Sequence, residues 1–267
     1  MYCSGSQAGV PALLGCGGDF LKMERFASGL LFFMFAVSSA ALAAIAREQG
    51  VLDASVAKVE FENDQIRVVR GTVGAHQKTA MHSHPSRLSV TITKNEVRVY
   101  LPNGTSGSAT RGPHEYFWSE PITHRVENLS DAPLQNIEIE LKRAKTPGVE
   151  VKPTAGERKG VGTETDPVAV EQEPHHHVVF ENQYVRVLEV IVRPGETTLF
   201  HRHSLDNVAV QLSDTTLKRQ SAGGDWDTLP AKEGSVSFIA GATAPYVHRI
   251  ANIGSSVFHV LDLEILP

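Results

Sequence analysis

Phe61-Glu62-Asn63-Asp64-Gln65-Ile66-Arg67-Val68 returns 119 residues later as Phe180-Glu181-Asn182-Gln183-Tyr184-Val185-Arg186-Val187. At the same offset, His82-Ser83-His84 falls on His201-Arg202-His203. His124-Arg125-Val126-Glu127-Asn128 matches His248-Arg249-Ile250-Ala251-Asn252 at an offset of 124, so the second copy holds about five extra residues before this block. Each copy closes on alternating acidic and apolar residues: Asn136-Ile137-Glu138-Ile139-Glu140-Leu141 and Val260-Leu261-Asp262-Leu263-Glu264-Ile265. Four blocks in one order make a single module, present twice.

The module reads as all-β. Runs at 66–69, 88–93, 96–101, 185–192 and 235–239 are rich in β-branched residues, and many alternate apolar with polar. Turn residues bound them at Pro102-Asn103-Gly104, Pro194-Gly195 and Gly223-Gly224-Asp225. Regularly spaced short strands without a helical stripe predict a jelly-roll barrel or sandwich in each half. The expected organisation is a leader and signal segment over 1–46, a first barrel over 55–145, a linker over 146–174 and a second barrel over 175–267. The linker is rich in Lys, Glu, Gly, Pro and Thr, and no apolar period runs through it.

A hydrophobic content of 41% with 21% charged residues suits a globular protein, and a net charge of −5 argues against a nucleic-acid partner. Lys22, Glu24 and Arg25 precede an almost wholly apolar stretch over 26–46, which ends in Ala41-Leu42-Ala43 and Ala44-Ile45-Ala46. This pattern reads as an export signal cleaved near Ala43 or Ala46, with a retained membrane anchor as the alternative. Export implies a periplasmic or extracellular protein that meets the membrane only through that segment. Met23 is a natural start as well as Met1. Leu13-Leu14-Gly15-Cys16 imitates a lipoprotein box but lacks a basic region and apolar core before it. Both cysteines, Cys3 and Cys16, precede the cleavage points, so neither a disulfide nor a thiolate metal site is expected in the mature chain.

Residues i and i+2 of a strand share a face, so His82 and His84 point one way, as do His201 and His203. Paired imidazoles inside a barrel are costly to protonate, and a metal ion resolves this by taking both as neutral ligands. His124 and His248 are the candidate third ligands. Coordination positions left over are open to water or substrate. His175-His176-His177 opens the first strand of the second copy and reads as a solvated strand edge, with adventitious metal binding as the alternative. His76, His114 and His259 have no partner at metal-ligand spacing and read as surface or packing residues. Phe117 and Trp118 read as packing of the first barrel. Arg87 and Asp206 follow each pair by three residues, where a pocket loop is expected, and Ser89, Thr91 and Gln211 sit on the following strands; these five are candidate pocket residues or ordinary loop and strand positions.

Gly195 followed by five residues and His201-x-His203 resembles the first signature of the cupin superfamily. Leu229-Pro230 through Gly234, then His248-x-x-x-Asn252, resembles the second. Met81 to Pro85 resembles the Met-His-x-His-Pro stretch of small single-barrel cupins, and His124-x-x-x-Asn128 completes the first copy. The resemblance spans nearly all of the chain after the signal. It implies a bicupin, two tandem jelly-roll (double-stranded β-helix) barrels, each with a possible metal. The family pattern places a Glu four or five residues after the second His. Leu88 and Ser89 stand there in the first copy, Asn207 and Val208 in the second, so three histidines remain, with Asn207 a possible fourth ligand. Neutral donors suit Fe, Cu, Ni or Zn as divalent ions better than Mn or Mg.

Three functions stay open. The first is an oxygenase acting on a small organic molecule. The second is a metal-dependent isomerase or lyase, for which Glu115, Glu120 and Gln211 are the visible acid/base candidates. The third is a non-catalytic metal- or ligand-binding barrel. No residue is assigned a catalytic role, and jelly-roll edge strands leave pairing into a homo-oligomer open.

Overall fold

The computed structural model describes residues 52–144, 146–152 and 159–267. The expected signal segment lies outside the described residues. Residues Gln49–Pro267 form one compact unit that includes both barrels. The first half runs β1 (Ala57–Glu62), β2 (Ile66–Val73), β3 (His82–His84), β4 (Arg87–Thr91), β5 (Asn95–Tyr100), β6 (Ser106–Arg111), β7 (Tyr116–Ser119), β8 (Ile122–Asn128) and β9 (Leu134–Leu141). A five-stranded sheet in the order β1-β2-β9-β4-β7 faces a four-stranded one, β3-β8-β5-β6.

The second half repeats this plan. After β10 (Val168–Ala169) come β11 (His176–Glu181), β12 (Val185–Val192), β13 (His201–His203), β14 (Asp206–Gln211), β15 (Thr215–Ser221), β16 (Trp226–Ala231), β17 (Val236–Ala240), β18 (Tyr246–Asn252) and β19 (Phe258–Ile265). Its sheets are β11-β12-β19-β14-β17 and β10-β13-β18-β15-β16. Even the irregularity repeats, since the β1–β2 ladder shifts register between Val59 and Phe61 and the β11–β12 ladder between Val178 and Phe180. The expected all-β fold of two tandem jelly rolls is what the chain adopts.

The β1-β2-β9-β4-β7 and β11-β12-β19-β14-β17 sheets lie back to back and share one core. Ile66, Val68, Leu88, Val90, Ile137 and Ile139 of the first barrel join Val185, Val187, Val208, Val210, Leu261 and Leu263 of the second in a single buried cluster. Phe61 of β1 stacks on Phe238 of β17 with ring centroids 4.4 Å apart, and Trp118 of β7 stacks on Phe180 of β11 at 5.8 Å. Each edge strand thus meets the opposite edge of the other sheet, which is a pseudo-two-fold arrangement. Trp118, expected to pack within its own barrel, instead faces the other barrel.

This core explains the alternation on the closing strands. A strand buried on both faces shows its period in the kind of residue, not in exposure. Ile137, Ile139 and Leu141 of β9, like Leu261, Leu263 and Ile265 of β19, face the shared core. Glu138, Glu140, Asp262 and Glu264 point the other way and are also buried, so each barrel interior carries two acidic side chains.

The segment between the barrels is not all linker. Val168-Ala169 runs parallel to His201-Arg202 and extends the second barrel's sheet. Val168, Val170 and Glu173 are buried. Only a short apolar stretch is involved, too brief for a periodic signal in the sequence.

Candidate metal centres

The His-x-His strands are short and lie directly across from the third histidine. His82 pairs with His124 in the β3–β8 ladder, and His201 pairs with His248 in the β13–β18 ladder. Asn128 and Asn252, four residues beyond those histidines on the same face, are buried and anchor the strand ends. The Asn128 amide donates to the carbonyls of Val73, Gly74 and Ala132, and that of Asn252 to those of Val192 and Ser256. The His-x-x-x-Asn pattern is therefore a histidine in the barrel followed by its structural clamp.

In the first barrel, His82, His84 and His124 each bring one ring nitrogen within 4.8 Å of the others. His82 Nδ1 donates to the carbonyl of Ala80 at 2.9 Å, and His84 Nδ1 donates to Glu140 Oε1 at 2.6 Å. Those partners fix the tautomer and leave Nε2 with its lone pair. Arg67 Nε donates to the other oxygen of Glu140 at 2.6 Å, so Arg67, Glu140 and His84 form a buried chain. Burial lowers the pKa of His82. At His124, burial and the nearby Arg87 charge lower it to about 3, so both rings are neutral at pH 7.

Arg87 is buried in β4 and donates from Nε to Glu138 Oε2, which also accepts the Ser89 hydroxyl. Burial alone would raise the Glu138 pKa, but Arg87, His84 and the Ser89 hydrogen bond bring it to about 2. Arg87 Nη1 is buried with no hydrogen-bond partner among the described residues. The barrel interior thus holds a cation with an unused donor beside the three histidines.

The second barrel differs. His201 is fully buried, with Nδ1 donating to the carbonyl of Leu199 at 2.9 Å and Nε2 without a partner among the described residues. His203 Nε2 and His248 Nε2 are 3.2 Å apart. The His203 ring also stacks flat on Tyr246 at 4.6 Å. Burial, then neighbouring histidines, lowers the pKa to about 2 at His203 and about 3 at His248, and well below the usual value at His201. Asn207, read from the sequence as a possible fourth ligand, lies behind His203. Its side-chain Nδ2 is 3.0 Å from Nδ1 and donates to that ring nitrogen, while its Oδ1 is buried with no hydrogen-bond partner among the described residues.

His176 was expected on a solvated edge but is buried. Its ring centroid lies 4.5 Å from that of His201 and 6.3 Å from that of His203, and the three place one nitrogen each within 4.8 Å of the others. The short turn Val170–Gln172 brings the buried Glu173 beneath it. Glu173 accepts from His176 Nδ1 at 2.6 Å, from His175 Nδ1 and from the amides of His175 and Leu199. Burial opposes ionisation of Glu173, yet these donors lower its pKa to about 2.

Most other candidates have structural partners. Asp206 accepts from Gln65 of the first barrel and from the Ala242 amide, so it sits at the junction between barrels. The Thr91 hydroxyl donates to the carbonyls of Gly112 and Glu115. Glu120 accepts from Ser86, Trp118 and the Gly148 amide, and Glu115 from the Gly112 amide. Gln211 Oε1 is buried without a partner. His76, His114 and His259 pair with Asp131, Glu233 and Glu189. A cavity of about 350 Å³ is lined by Lys159, Arg186, Arg202 and Glu264, and no histidine lines it.

The residues missed in the sequence are Glu138, Glu140, Asp262 and Glu264. Their alternation was visible, but not which side faced the barrel. Asp262, buried near Glu264, is held well above the ordinary carboxylate range, and Glu264, chiefly through burial, is raised to about 7. Burial dominates both shifts.

Tandem jelly rolls, each with a His-x-His strand opposed by a third histidine, give the chain the two-barrel fold seen in cupins. Among solved structures it is similar to AerE from Microcystis aeruginosa, with 11% identity, 79% of this chain and 98% of that chain covered, and a TM-score of 0.52. It is also similar to a cupin 2 conserved barrel domain protein from Leptotrichia buccalis (10% identity, 79% and 88% covered, TM-score 0.45). A third is a salicylate 1,2-dioxygenase from Pseudaminobacter salicylatoxidans (13% identity, 75% and 70% covered, TM-score 0.48). No family model and no curated protein matches the sequence.

Proposed function

We propose that the chain binds a divalent transition metal in its barrels and that the first barrel is the reactive one, an oxygenase site for a small anionic organic molecule. The observation that carries this reading is the placement of the unpartnered Arg87 Nη1 in the same barrel interior as the three-histidine group. The donors fit such an ion. They converge, the His82 and His124 rings are neutral, and at His82 and His84 the far ring nitrogen is already committed to a hydrogen bond. A bound Fe(II) ion would supply Lewis-acid and electron-transfer chemistry there.

The chain's own residues do the rest. Glu140 holds His84 in one tautomer, and Arg67 holds Glu140. Arg87 offers a charge-assisted hydrogen bond to a carboxylate or enolate, which sets the substrate's orientation. A dioxygenase reaction balances without an external reductant, because the substrate supplies four electrons and both atoms of O₂ enter the product. We also propose export to the cell envelope through the apolar segment over 26–46; mass analysis of the secreted chain would show cleavage after Ala43 or Ala46.

Metal analysis and oxygen uptake test the functional reading. The expected result is stoichiometric iron and O₂ consumption with hydroxylated aromatic acids, abolished by His124→Ala. Tight metal with no turnover on any acid would favour a binding protein. Protein from metal-replete cells that holds no metal and is not stabilised by added Fe(II), Zn(II), Cu(II) or Ni(II) would overturn it.

A further inference from the structure

The two barrels do not offer the same number of imidazoles. We propose that His176 is a fourth histidine ligand in the second barrel, joining His201, His203 and His248 in a closed site that holds its ion without an open coordination position. This rests on the reading that the barrels bind a divalent metal.

Three observations carry it. First, His176 comes from β11, on the β11-β12-β19-β14-β17 sheet, whereas His201, His203 and His248 come from β13 and β18 on the β10-β13-β18-β15-β16 sheet. The histidines therefore approach from both sides of the barrel. Second, His176 Nδ1 is committed to Glu173, leaving Nε2 as the donor, while His201 Nε2 is buried without a partner among the described residues. Third, His176, His201 and His203 bring one nitrogen each within 4.8 Å of one another, and His248 adjoins this group through His203. The Nε2 atoms of His203 and His248 are 3.2 Å apart. Tetrahedral donors with bonds of about 2.0 Å stand roughly 3.3 Å apart.

Glu173 argues against a merely packed histidine. A buried carboxylate on the far nitrogen orients a ligand ring and raises its basicity. The chain places Glu173 there with the β10 segment, whose Val168 pairs with His201 itself. The first barrel has no counterpart among the described residues. Ala57 pairs with Gly71 in β1–β2 as His176 pairs with Val190 in β11–β12, and alanine carries no donor. A fourth imidazole fills the position that a reacting molecule would occupy, so the second barrel would hold metal for stability while the first stays open.

The test uses the full chain carrying His84→Ala and His124→Ala, which confines binding to the second barrel, loaded with Zn(II) or Co(II). X-ray absorption is expected to show four imidazole nitrogens around one ion. Adding His176→Ala should lower Zn(II) affinity at least tenfold, replace one nitrogen by solvent oxygen and weaken the visible Co(II) bands. Glu173→Gln should lower affinity by about 10- to 100-fold with four nitrogens retained. Three imidazoles around the ion with His176 intact, or affinity and spectrum unchanged by His176→Ala, would overturn the proposal. Should His176→Ala fail to fold, the nitrogen count with His176 intact still decides. Metal in the first barrel but none in the second overturns this inference alone; a native chain that takes up no metal anywhere overturns the parent reading as well.

Discussion

His84 Nδ1 and Glu140 Oε1 meet at 2.6 Å inside the first barrel, joining a histidine of one sheet to a carboxylate of the other. Glu140 is fully buried and also accepts from Arg67. Glu140→Gln should therefore weaken metal binding in the first barrel by about 10- to 100-fold while leaving the second unchanged. Glu140→Ala should also lower stability by about 3–5 kcal/mol, because the buried Arg67 charge loses this carboxylate. Metal titration and urea unfolding separate the two effects. Equal loss of metal from both barrels would speak against the assignment.

Replacing Arg87 tests substrate recognition. Arg87→Lys keeps a charge near Glu138 but loses the planar fork that presents Nη1. It should raise KM for an anionic substrate about tenfold or more while the metal content stays at the native level. An unchanged KM, with kcat reduced instead, would place Arg87 outside substrate binding.

The pH dependence of the metal-free protein follows from its buried groups. His124, His203 and His248 have folded pKa values of about 3, 2 and 3. Below an unfolded value of about 6.5, the unfolded chain takes up protons that the folded one refuses, so stability is lost as pH falls. Glu264 acts in the opposite sense: held at about 7, it keeps its proton when the unfolded chain has lost it, so stability falls as pH rises from about 4.5 to 7. The histidines outnumber it, and the thermal midpoint should peak near about pH 6.5 and drop steadily toward pH 4.5. Bound metal should flatten the acid limb down to the pH at which protons displace it. A midpoint independent of pH between these limits in the metal-free protein would contradict the neutral burial of these rings.

The shared core predicts joint unfolding. Ile139 is 1% exposed and packs in a cluster built from both barrels. Ile139→Ala should cost about 2–5 kcal/mol, and calorimetry should show a single transition moved to lower temperature. Two separate transitions, with only one moved, would mean that the barrels fold independently.

The repeat, the all-β pattern and the six family-position histidines were legible in linear order, because strand period and residue type are local properties. Each His-x-His pair shares a face whatever surrounds it, and the closing strands announced their alternation. What linear order left open was where those faces pointed. Glu138 and Glu140 could be assigned to a barrel interior only once Ile137 and Ile139 were seen against Val187 and Leu263 of the other half. His176 was lost for a related reason: its burial depends on Glu173 and Val168, isolated residues in a segment with no period.

The position after each histidine pair shows the difference most clearly. At a constant offset of 119, Arg87 corresponds to Asp206. In the folded chain, Arg87 pairs with Glu140 across β4–β9, whereas Asn207, not Asp206, pairs with Glu264 across β14–β19. One extra residue in the second loop moves the register by one. In a strand, that turns every side chain to the opposite face. The chain's chemistry was thus written in its residues, but a single-residue slip, visible only when the strands pair, determined that an arginine lines one barrel and an asparagine the other.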